Sequence, residues 1–562
     1  LGVICKTPRF AEQALQLEQI RHDTWSQSSS KALPMVSEFQ KLIHIPVDQP
    51  LPPLSRLLST PSLGEIASEG FKTVGVHRSP ADFVKEALEV KHPSATVSQL
   101  PAPMLAAVHR AATEPVESLC QTRSEALRMM LAKAKEFQPA EEELKQSLSA
   151  RRKEVLKGKR LVLFQWLLEQ SGSTDTRLVT DLCNGFDLTG TLPESNTFSK
   201  RFRPAQLPTD TLRGVAEKAR MALLSNIRSS GDVGLDHGVY EATRSECDKG
   251  FLVGPVDPDG LPKGATLTRR FGVAQKDKIR PIDDYRASMV NSSVTQAEAV
   301  SIHEVDHIAA MCAEYLRCSS AQTSQVELVA KCWDLASAYK QVPLSDSAFH
   351  LDSYLVVYNP HTDAPEVYQQ KVLPFGSIAS VTAFLRCALA LWHIGSVLLW
   401  FTWTSYFDDF LSICDVKASR HTELCTSLFF QLLGWKLSED KLVPYETCCK
   451  VLGIELNLSK TPEGVIALAN TASRRAELLE FIDHIQATKK LSRCDAERFR
   501  GRLQFASNYL FGRRFRNCLK DLNQHISRGF VSISDEFSLT LLLLKALISQ
   551  RSEERRVGKE CR

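Results

Sequence analysis

Two adjacent carboxylates, Asp408 and Asp409, are the residues of this chain best placed to do chemistry. They lie between two apolar, β-prone runs, 400–404 and 410–414, which predicts that the pair falls at or beside a hairpin turn. Like charges side by side in a half-buried turn repel each other, so we expect a cation to bind them. Taken alone, an Asp-Asp turn is more often a solvated loop, and the interpretation depends on partners elsewhere in the chain.

A third carboxylate, Asp334, closes the β-prone run 326–333, and an acid in that position would stand at the rim of a sheet. The residues that follow predict a helical turn stopped by Pro343, then a hairpin over 354–371. Leu373-Pro374-Phe375-Gly376 then opens a helix over 377–392. Glycine at that junction allows backbone to approach a ligand closely.

Two basic stretches suit nucleic-acid or nucleotide phosphates. Five cations and one acid lie between Arg269 and Arg280, around a predicted hairpin tip at 276–278. Between Leu491 and Lys520, eight basic residues alternate with aromatic ones, a pattern typical of single-strand binding. Each stretch has a plainer interpretation: a solvated hairpin for the first, and core aromatics beneath a solvated arginine face for the second.

The length of 562 residues favours several domains, and a formal charge of +4 is too small to indicate nucleic-acid binding from the whole chain. Fifteen cysteines without a Cys-x-x-Cys pair indicate reduced thiols and an intracellular protein, cytoplasmic or nuclear. The apolar run 387–403 is interrupted by polar residues, so we predict a buried helix followed by a buried strand and no membrane association.

Taken in chain order, these sequence motifs resemble those of the reverse transcriptases of retroelements. The resemblance covers residues 249–520 and is carried by five blocks: Asp334 with Tyr339, Leu373 to Gly376 with Phe384, Tyr406 to Asp409, Gly434 with Lys441, and Leu452-Gly453. It implies an α+β fold, a right-hand polymerase with fingers, palm and thumb, whose antiparallel palm sheet is backed by helices. The N-terminal region is expected to be poorly ordered and mostly helical.

The resemblance also implies a metal site for phosphoryl transfer. Asp334 and Asp408 would be ligands from separate strands, Asp409 the third carboxylate, and the backbone carbonyl of Leu335 a further oxygen. Two Mg²⁺ ions, with Mn²⁺ as an alternative, would serve the reaction, because hard cations prefer carboxylate oxygens and two ions can clamp the attacking and leaving oxygens.

The nucleotide contacts are implied in the same way. Tyr339 resembles the steric gate that excludes a ribose 2′-hydroxyl and favours deoxynucleotides. The remaining residues are expected to hold the triphosphate (Lys276, Lys278 and, most firmly, Arg280), line the nucleotide pocket (Phe375 and Gly376), protonate the leaving pyrophosphate (Lys441) and form the primer grip (Leu452 and Gly453).

The expected partners are an RNA template, a DNA primer and deoxynucleoside triphosphates; the oligomeric state stays open. Ser377-Ile378-Ala379 replaces the family's usual Asn-Ala-Pro, and the arginine-rich helical tail resembles the tyrosine-recombinase (DIRS-like) group. A catalytically inactive nucleic-acid-binding relic is disfavoured by the complete set of acids. An RNA-templated RNA polymerase is disfavoured by Tyr339 and by the Tyr-x-Asp-Asp form.

The predicted organisation has five parts. They are an unassigned, partly disordered region (1–140), an N-terminal extension with fingers (141–325), the palm with a fingers insertion (326–460), a helical thumb or connection (461–550), and a tail (551–562). The tail resembles a translated sequencing adapter, so we exclude it from reasoning about the fold.

Overall fold

The structure is a computed structural model. It describes residues 39–46, 48–50, 71–77, 100–275, 278–321, 325–507, 515–549 and 553–556. The chain divides into two compact units, residues 1–95 and 96–562. In the first unit, β1 (Phe39–Pro46) pairs antiparallel with β2 (Phe71–His77). The remaining part of the prediction for residues 1–99 lies outside the described residues.

The second unit contains all the other described elements. Its strands are β3 (Gly190–Thr191), β4 (Ser199–Arg203), β5 (Leu252–Val256), β6 (Leu267–Gln275), β7 (Lys278–Asp283), β8 (Val294–Ala299), β9 (Leu328–Asp334), β10 (Tyr354–Asn359), β11 (Ala364–Gln370), β12 (Trp403–Tyr406), β13 (Asp409–Asp415), β14 (Cys448–Val451), β15 (Ile454–Asn457), β16 (Val465–Asn470) and β17 (Glu553–Arg556). Its helices are α1 (Ala102–Thr113), α2 (Val116–Glu136), α3 (Gln138–Ser147), α4 (Ala150–Val155), α5 (Leu161–Gln170), α6 (Leu178–Asn184), α7 (Thr209–Asn226), α8 (Val233–Asp248), α9 (Val305–Ser320), α10 (Asp346–Leu351), α11 (Ile378–Leu398), α12 (Ser419–Leu433), α13 (Ala472–Thr488), α14 (Arg493–Ser507), α15 (Arg516–Arg528) and α16 (Asp535–Ser549).

A three-stranded antiparallel sheet, ordered β12-β13-β9, forms the centre of the palm. Its strands are buried along most of their length, and side chains such as Trp333, Trp403 and Phe410 are fully buried. Helix α11 packs into the same core. It is long and apolar enough to cross a membrane, but 78% of its most apolar window is buried inside the protein, as in the core helix that the sequence predicts.

The fingers are built on a five-stranded sheet, ordered β5-β11-β10-β6-β7, in which β10 and β6 run parallel and the other pairs are antiparallel. The predicted hairpin over 354–371 is present as β10 and β11. A further sheet, β14-β15-β16-β17, follows the palm, and its edge strand β17 lies within the stretch that resembles an adapter. Helices α13 to α16 enclose a separate apolar core.

The helices before residue 170 belong to the main core. Arg123 on α2 is fully buried and donates to the carbonyl oxygens of Leu399 (2.8 Å) and Trp400 (2.7 Å). The carboxylate of Glu141 accepts hydrogen bonds from the backbone N–H groups of Leu161 and Leu163, which satisfies the first turn of α5. The helical content predicted for the N-terminal region is therefore found from residue 102 onward, packed against the palm.

The structure contradicts the stacking role predicted for two aromatics of the basic stretch 491–520. Phe499 and Phe515 are buried in the thumb core, at 0% and 1% exposure, because they lie on the inward faces of the helices. Phe505 is exposed, whereas Tyr509 and Phe511 lie outside the described residues. The plainer interpretation, core aromatics beneath an arginine face, is correct for the first two.

Candidate active site

The two adjacent acids stand at a tight hairpin, as the sequence predicts. Strands β12 and β13 pair Tyr406 with Asp409, so Phe407 and Asp408 form the two-residue turn, with Phe407 at φ +52°. In the same sheet Asp409 lies directly opposite Asp334 on β9. The N–H of Leu335 donates to the carbonyl oxygen of Asp408 (3.1 Å). Strand pairing thus brings together three carboxylates from distant parts of the chain.

Burial and mutual repulsion shape the protonation of these acids. Burial raises the pKa of the Asp408 carboxyl, and the negative charge of Asp334 raises it further. The pKa of Asp409 is raised to about 7 by burial, by the charges of Asp408 and Asp334, and by a hydrogen bond with Asp334. Like charges packed this closely disfavour ionisation, and a bound cation would relieve that repulsion.

Lys441 and Ser438 bind the carboxylate of Asp334. The Lys441 ammonium donates to Asp334 Oδ1 (2.8 Å), and the Ser438 hydroxyl donates to Asp334 Oδ2 (2.5 Å). The hydrogen bond to Asp334 raises the pKa of Lys441. The lysine side chain is 61% exposed, so it can turn away from Asp334 towards a ligand. The sequence predicts a role for Lys441, but no pattern in it identifies Ser438.

A buried amide fixes the turn that carries Lys441. Gln341 Nε2 donates to the carbonyl oxygens of Ala336 (2.8 Å) and Lys436 (3.1 Å), and Gln341 Oε1 accepts from the N–H of Lys436 (3.0 Å). The same oxygen accepts from the ammonium of Lys159 (3.3 Å), which lies over the Trp435 ring. The loop after Asp334 and the turn before Lys441 are therefore tied to each other and to the N-terminal extension.

The residue predicted as steric gate is packed firmly. Tyr339 lies in a 3₁₀ turn, Ala338–Gln341, and its ring stacks on Phe384 at 4.7 Å and lies 4.7 Å from the ring of Phe375. Burial and the charge of Asp408 raise the pKa of Tyr339. The ring is 5% exposed, while Phe375 is 48% exposed, so Phe375 offers a surface that a nucleotide could contact.

Gly376 lies where the backbone conformation and a close neighbour both require glycine. Its φ is +92°, and a Cβ there would lie 2.3 Å from the carbonyl oxygen of Asp283 at the end of β7. Asn291 spans this junction: its amide donates to the Gly376 carbonyl oxygen and accepts from the N–H of Ile378 (both 2.9 Å). Ser377, a departure from the family pattern, accepts from the N–H of Ser380 and caps α11. The substitution therefore preserves the start of the helix.

The cations of the fingers hairpin lie at the edge of the described residues. Lys276 lies outside them, and only the backbone of Lys278 is described, as the first residue of β7. Arg280 is exposed, and its positive charge lowers the pKa of Asp408, although burial and the charge of Asp334 raise it. The assignment of Arg280, Lys276 and Lys278 to the triphosphate stays a prediction.

The predicted primer-grip turn joins β14 to β15 through Leu452 and Gly453, both at positive φ. Arg474 on α13 donates to the Gly453 carbonyl oxygen, and its guanidinium lies 4.5 Å from the ring centre of Phe505 on α14. Arg474 thus connects the thumb helices to this turn, and no sequence pattern identified it in advance.

The donor set fits a hard divalent cation. Asp409 is adjacent to Asp408 and lies opposite Asp334 in the sheet. The bridge between Leu335 and Leu437 uses the carbonyls of Asp334 and Lys436, so the Leu335 carbonyl is not engaged in it. Oxygen-only ligands with excess negative charge are what Mg²⁺ prefers. Asp334, Asp408 and Asp409 are the residues that would hold it.

Residues 268–456 match the family model described as reverse transcriptase (RNA-dependent DNA polymerase), and every residue predicted for the site lies within that segment. No curated protein matches the chain. The solved structures similar to it include foamy viral protease-reverse transcriptases, one in complex with double-stranded DNA and one with an RNA/DNA hybrid.

These structural likenesses are distant. Both foamy viral chains are 14% identical, with a TM-score of 0.42 over 74% of this chain. This chain spans 60% of the first and 46% of the second. The matched segment holds the palm strands, the acids they position and most of the fingers sheet. Residues 268–456 are therefore assigned to the reverse-transcriptase family.

Proposed function

We propose that this chain is the RNA-directed DNA polymerase of a retrotransposon, which adds deoxynucleotides to a primer 3′-hydroxyl by two-metal phosphoryl transfer. One observation carries the proposal: Asp409 lies opposite Asp334 in the palm sheet, beside Asp408 at the turn. Mutually repelling carboxylates at a hairpin, inside a segment that matches the polymerase family, are best explained as cation ligands.

In this proposal the three carboxylates hold two divalent cations, which when bound supply Lewis-acid stabilisation of the transferring phosphoryl group. Arg280 binds the triphosphate, because it is exposed and within electrostatic reach of Asp408. Lys441 moves from Asp334 Oδ1 towards the pyrophosphate and donates a proton to it as it leaves. Ser438 keeps Asp334 in place during that exchange.

Selection of deoxynucleotides is assigned to Tyr339. Its ring is held between Phe375 and Phe384, so the side chain cannot swing aside to admit a 2′-hydroxyl without losing two aromatic contacts. Phe375 presents its exposed face to the incoming nucleotide. RNA template and DNA primer are the proposed partners, and an intracellular location agrees with the free thiols of the thirteen described cysteines.

The test is primer extension by the whole chain on an RNA template with deoxynucleotides and Mg²⁺. We expect extension by the unaltered protein, loss of at least about a thousandfold in Asp408→Asn, and no loss in Asp259→Asn, an exposed control with the same change in charge. Tight primer–template binding without extension under either Mg²⁺ or Mn²⁺ would identify the chain as an inactive relic. Faster extension with ribonucleotides would point to an RNA polymerase.

A further inference from the structure

Three metal-ligating side chains converge between α1 and α9. His109 Nε2 lies 2.8 Å from Glu314 Oε1, and Cys318 Sγ lies 3.6 Å from the same oxygen. The nitrogen, oxygen and sulfur atoms all lie within 4.8 Å of one another. Glu314 and Cys318 are four residues apart on α9 and share one helix face, while His109 reaches them from α1.

The surroundings of Glu314 favour this arrangement. Its side chain is 7% exposed, and a buried carboxylate requires partners. Arg317 contacts the other oxygen, Oε2, and so leaves Oε1 directed at His109 and Cys318. A carboxylate that binds a metal through one oxygen is commonly oriented by a hydrogen bond at the other. The histidine side chain is 49% exposed, so solvent can reach the cluster.

We propose that His109, Glu314 and Cys318 form a binding site for one divalent cation of the zinc class, with water as the fourth ligand. A set of one nitrogen, one oxygen and one sulfur matches the borderline preference of Zn²⁺, with bonds of about 2.0–2.3 Å. It does not suit Mg²⁺, which takes oxygen ligands, so the site is chemically distinct from the palm acids. On binding, the Cys318 thiol gives up its proton to solvent and the thiolate sulfur donates its electron pair to the cation.

The site would join two parts of the protein. Helix α1 precedes the segment that matches the polymerase family, whereas α9 lies inside it. The two helices are already in contact, since the Tyr315 hydroxyl donates to the Ala111 carbonyl oxygen (2.9 Å). A cation bound by ligands from both helices would clamp the N-terminal helices onto the polymerase domain, and its effect would be on folding and stability.

The experiment is a titration of the metal-free whole chain with Co²⁺, a coloured substitute for Zn²⁺, followed by displacement with Zn²⁺. We expect one equivalent of cobalt to produce thiolate-to-cobalt absorption in the near ultraviolet and tetrahedral bands in the visible. Cys318→Ser should lose the thiolate absorption. His109→Ala should weaken cobalt binding by roughly tenfold or more. Cys494→Ser, which alters an exposed cysteine, should behave like the unaltered protein.

The thermal midpoint supplies a second readout. We expect Zn²⁺ to raise the midpoint of the unaltered protein and of Cys494→Ser but not that of His109→Ala, whose exposed side chain can be shortened without opening the core. Thiolate absorption that persists in Cys318→Ser would overturn the proposal, as would the absence of any zinc-dependent shift in the unaltered protein. Neither readout depends on polymerase activity.

Discussion

Lys159 provides a quantitative test of how the N-terminal extension supports the active site. Its side chain is buried beside Gln341 and the ring of Trp435. Burial lowers its pKa from 10.5 to about 7. At pH values between about 7 and 10.5, the Lys159 amine is protonated more fully in the unfolded chain than in the folded one, so protonation favours unfolding. Stability should therefore rise as the pH increases from 7 towards 10.

The size of this pH dependence follows from the difference between the folded and unfolded pKa values of Lys159. A pKa lowered from 10.5 to about 7 reduces the free energy of unfolding by about 4 kcal/mol at pH 7 and by about 2 kcal/mol at pH 9. The attraction of the ammonium to the Trp435 face offsets part of this penalty. We therefore expect raising the pH from 7 to 9 to stabilise the unaltered protein by about 1–2 kcal/mol relative to Lys159→Met, which cannot titrate.

Urea denaturation of the two proteins at pH 7, 8 and 9 measures this difference, because the other titrating groups cancel between them. Lys157→Met, which alters an exposed lysine two residues away, should follow the unaltered protein. A difference between Lys159→Met and the unaltered protein that stays constant across this range would refute the reasoning. It would mean that Lys159 keeps its ordinary pKa in the folded protein.

Three further predictions concern the palm. Tyr339→Ala should reduce discrimination against ribonucleotides by roughly tenfold or more, measured as the ratio of kcat/KM values, whereas Tyr339→Phe should retain it; equal ratios in all three proteins would exclude the gate. Gly376→Ala should destabilise the protein by about 2 kcal/mol or more in urea denaturation, because a Cβ would meet a backbone carbonyl at 2.3 Å with φ at +92°. Gly501→Ala, where a Cβ meets nothing within 4 Å, should not, and equal stability of the two variants would count against this account. Ser438→Ala should lower kcat by about tenfold and raise the Mg²⁺ concentration needed for half-maximal rate, because a metal-binding carboxylate loses the donor that orients it; an unchanged Mg²⁺ dependence would argue against that role.

Local patterns were sufficient to predict the hairpin that carries the acids and the glycine junction before α11. Apolar runs around Asp408 and Asp409 specify two strands, and the turn between them follows from their spacing. The positive φ of Gly376 agrees with the freedom expected of glycine at that position. These features depend on neighbours in sequence, which is why the sequence alone indicates them.

Contacts between distant residues could not be predicted in this way. Lys159 and Gln341 are 182 residues apart, and a single polar pair leaves no periodic signal. The stacking role predicted for the aromatics of residues 491–520 was wrong for Phe499 and Phe515 for a related reason. Arginines interleaved with aromatics fit both a nucleic-acid surface and an amphipathic helix. Only the packing of α13 to α16 shows that Phe499 and Phe515 face inward.

The buried guanidinium of Arg386 limits how this chain can be shortened for expression. It lies on α11 within the matched segment, yet its partners Asp175 (2.7 Å) and Asp181 (2.8 Å) lie well before that segment begins. A fragment that starts at residue 268 would leave this charge in the core without a counter-ion, at a penalty of about 3–5 kcal/mol. Arg123 extends the requirement to α2, whose loss would remove the donor to the carbonyls of Leu399 and Trp400. Expression boundaries placed at the limits of the family match would cut through one continuous core, so a soluble fragment should begin ahead of α1.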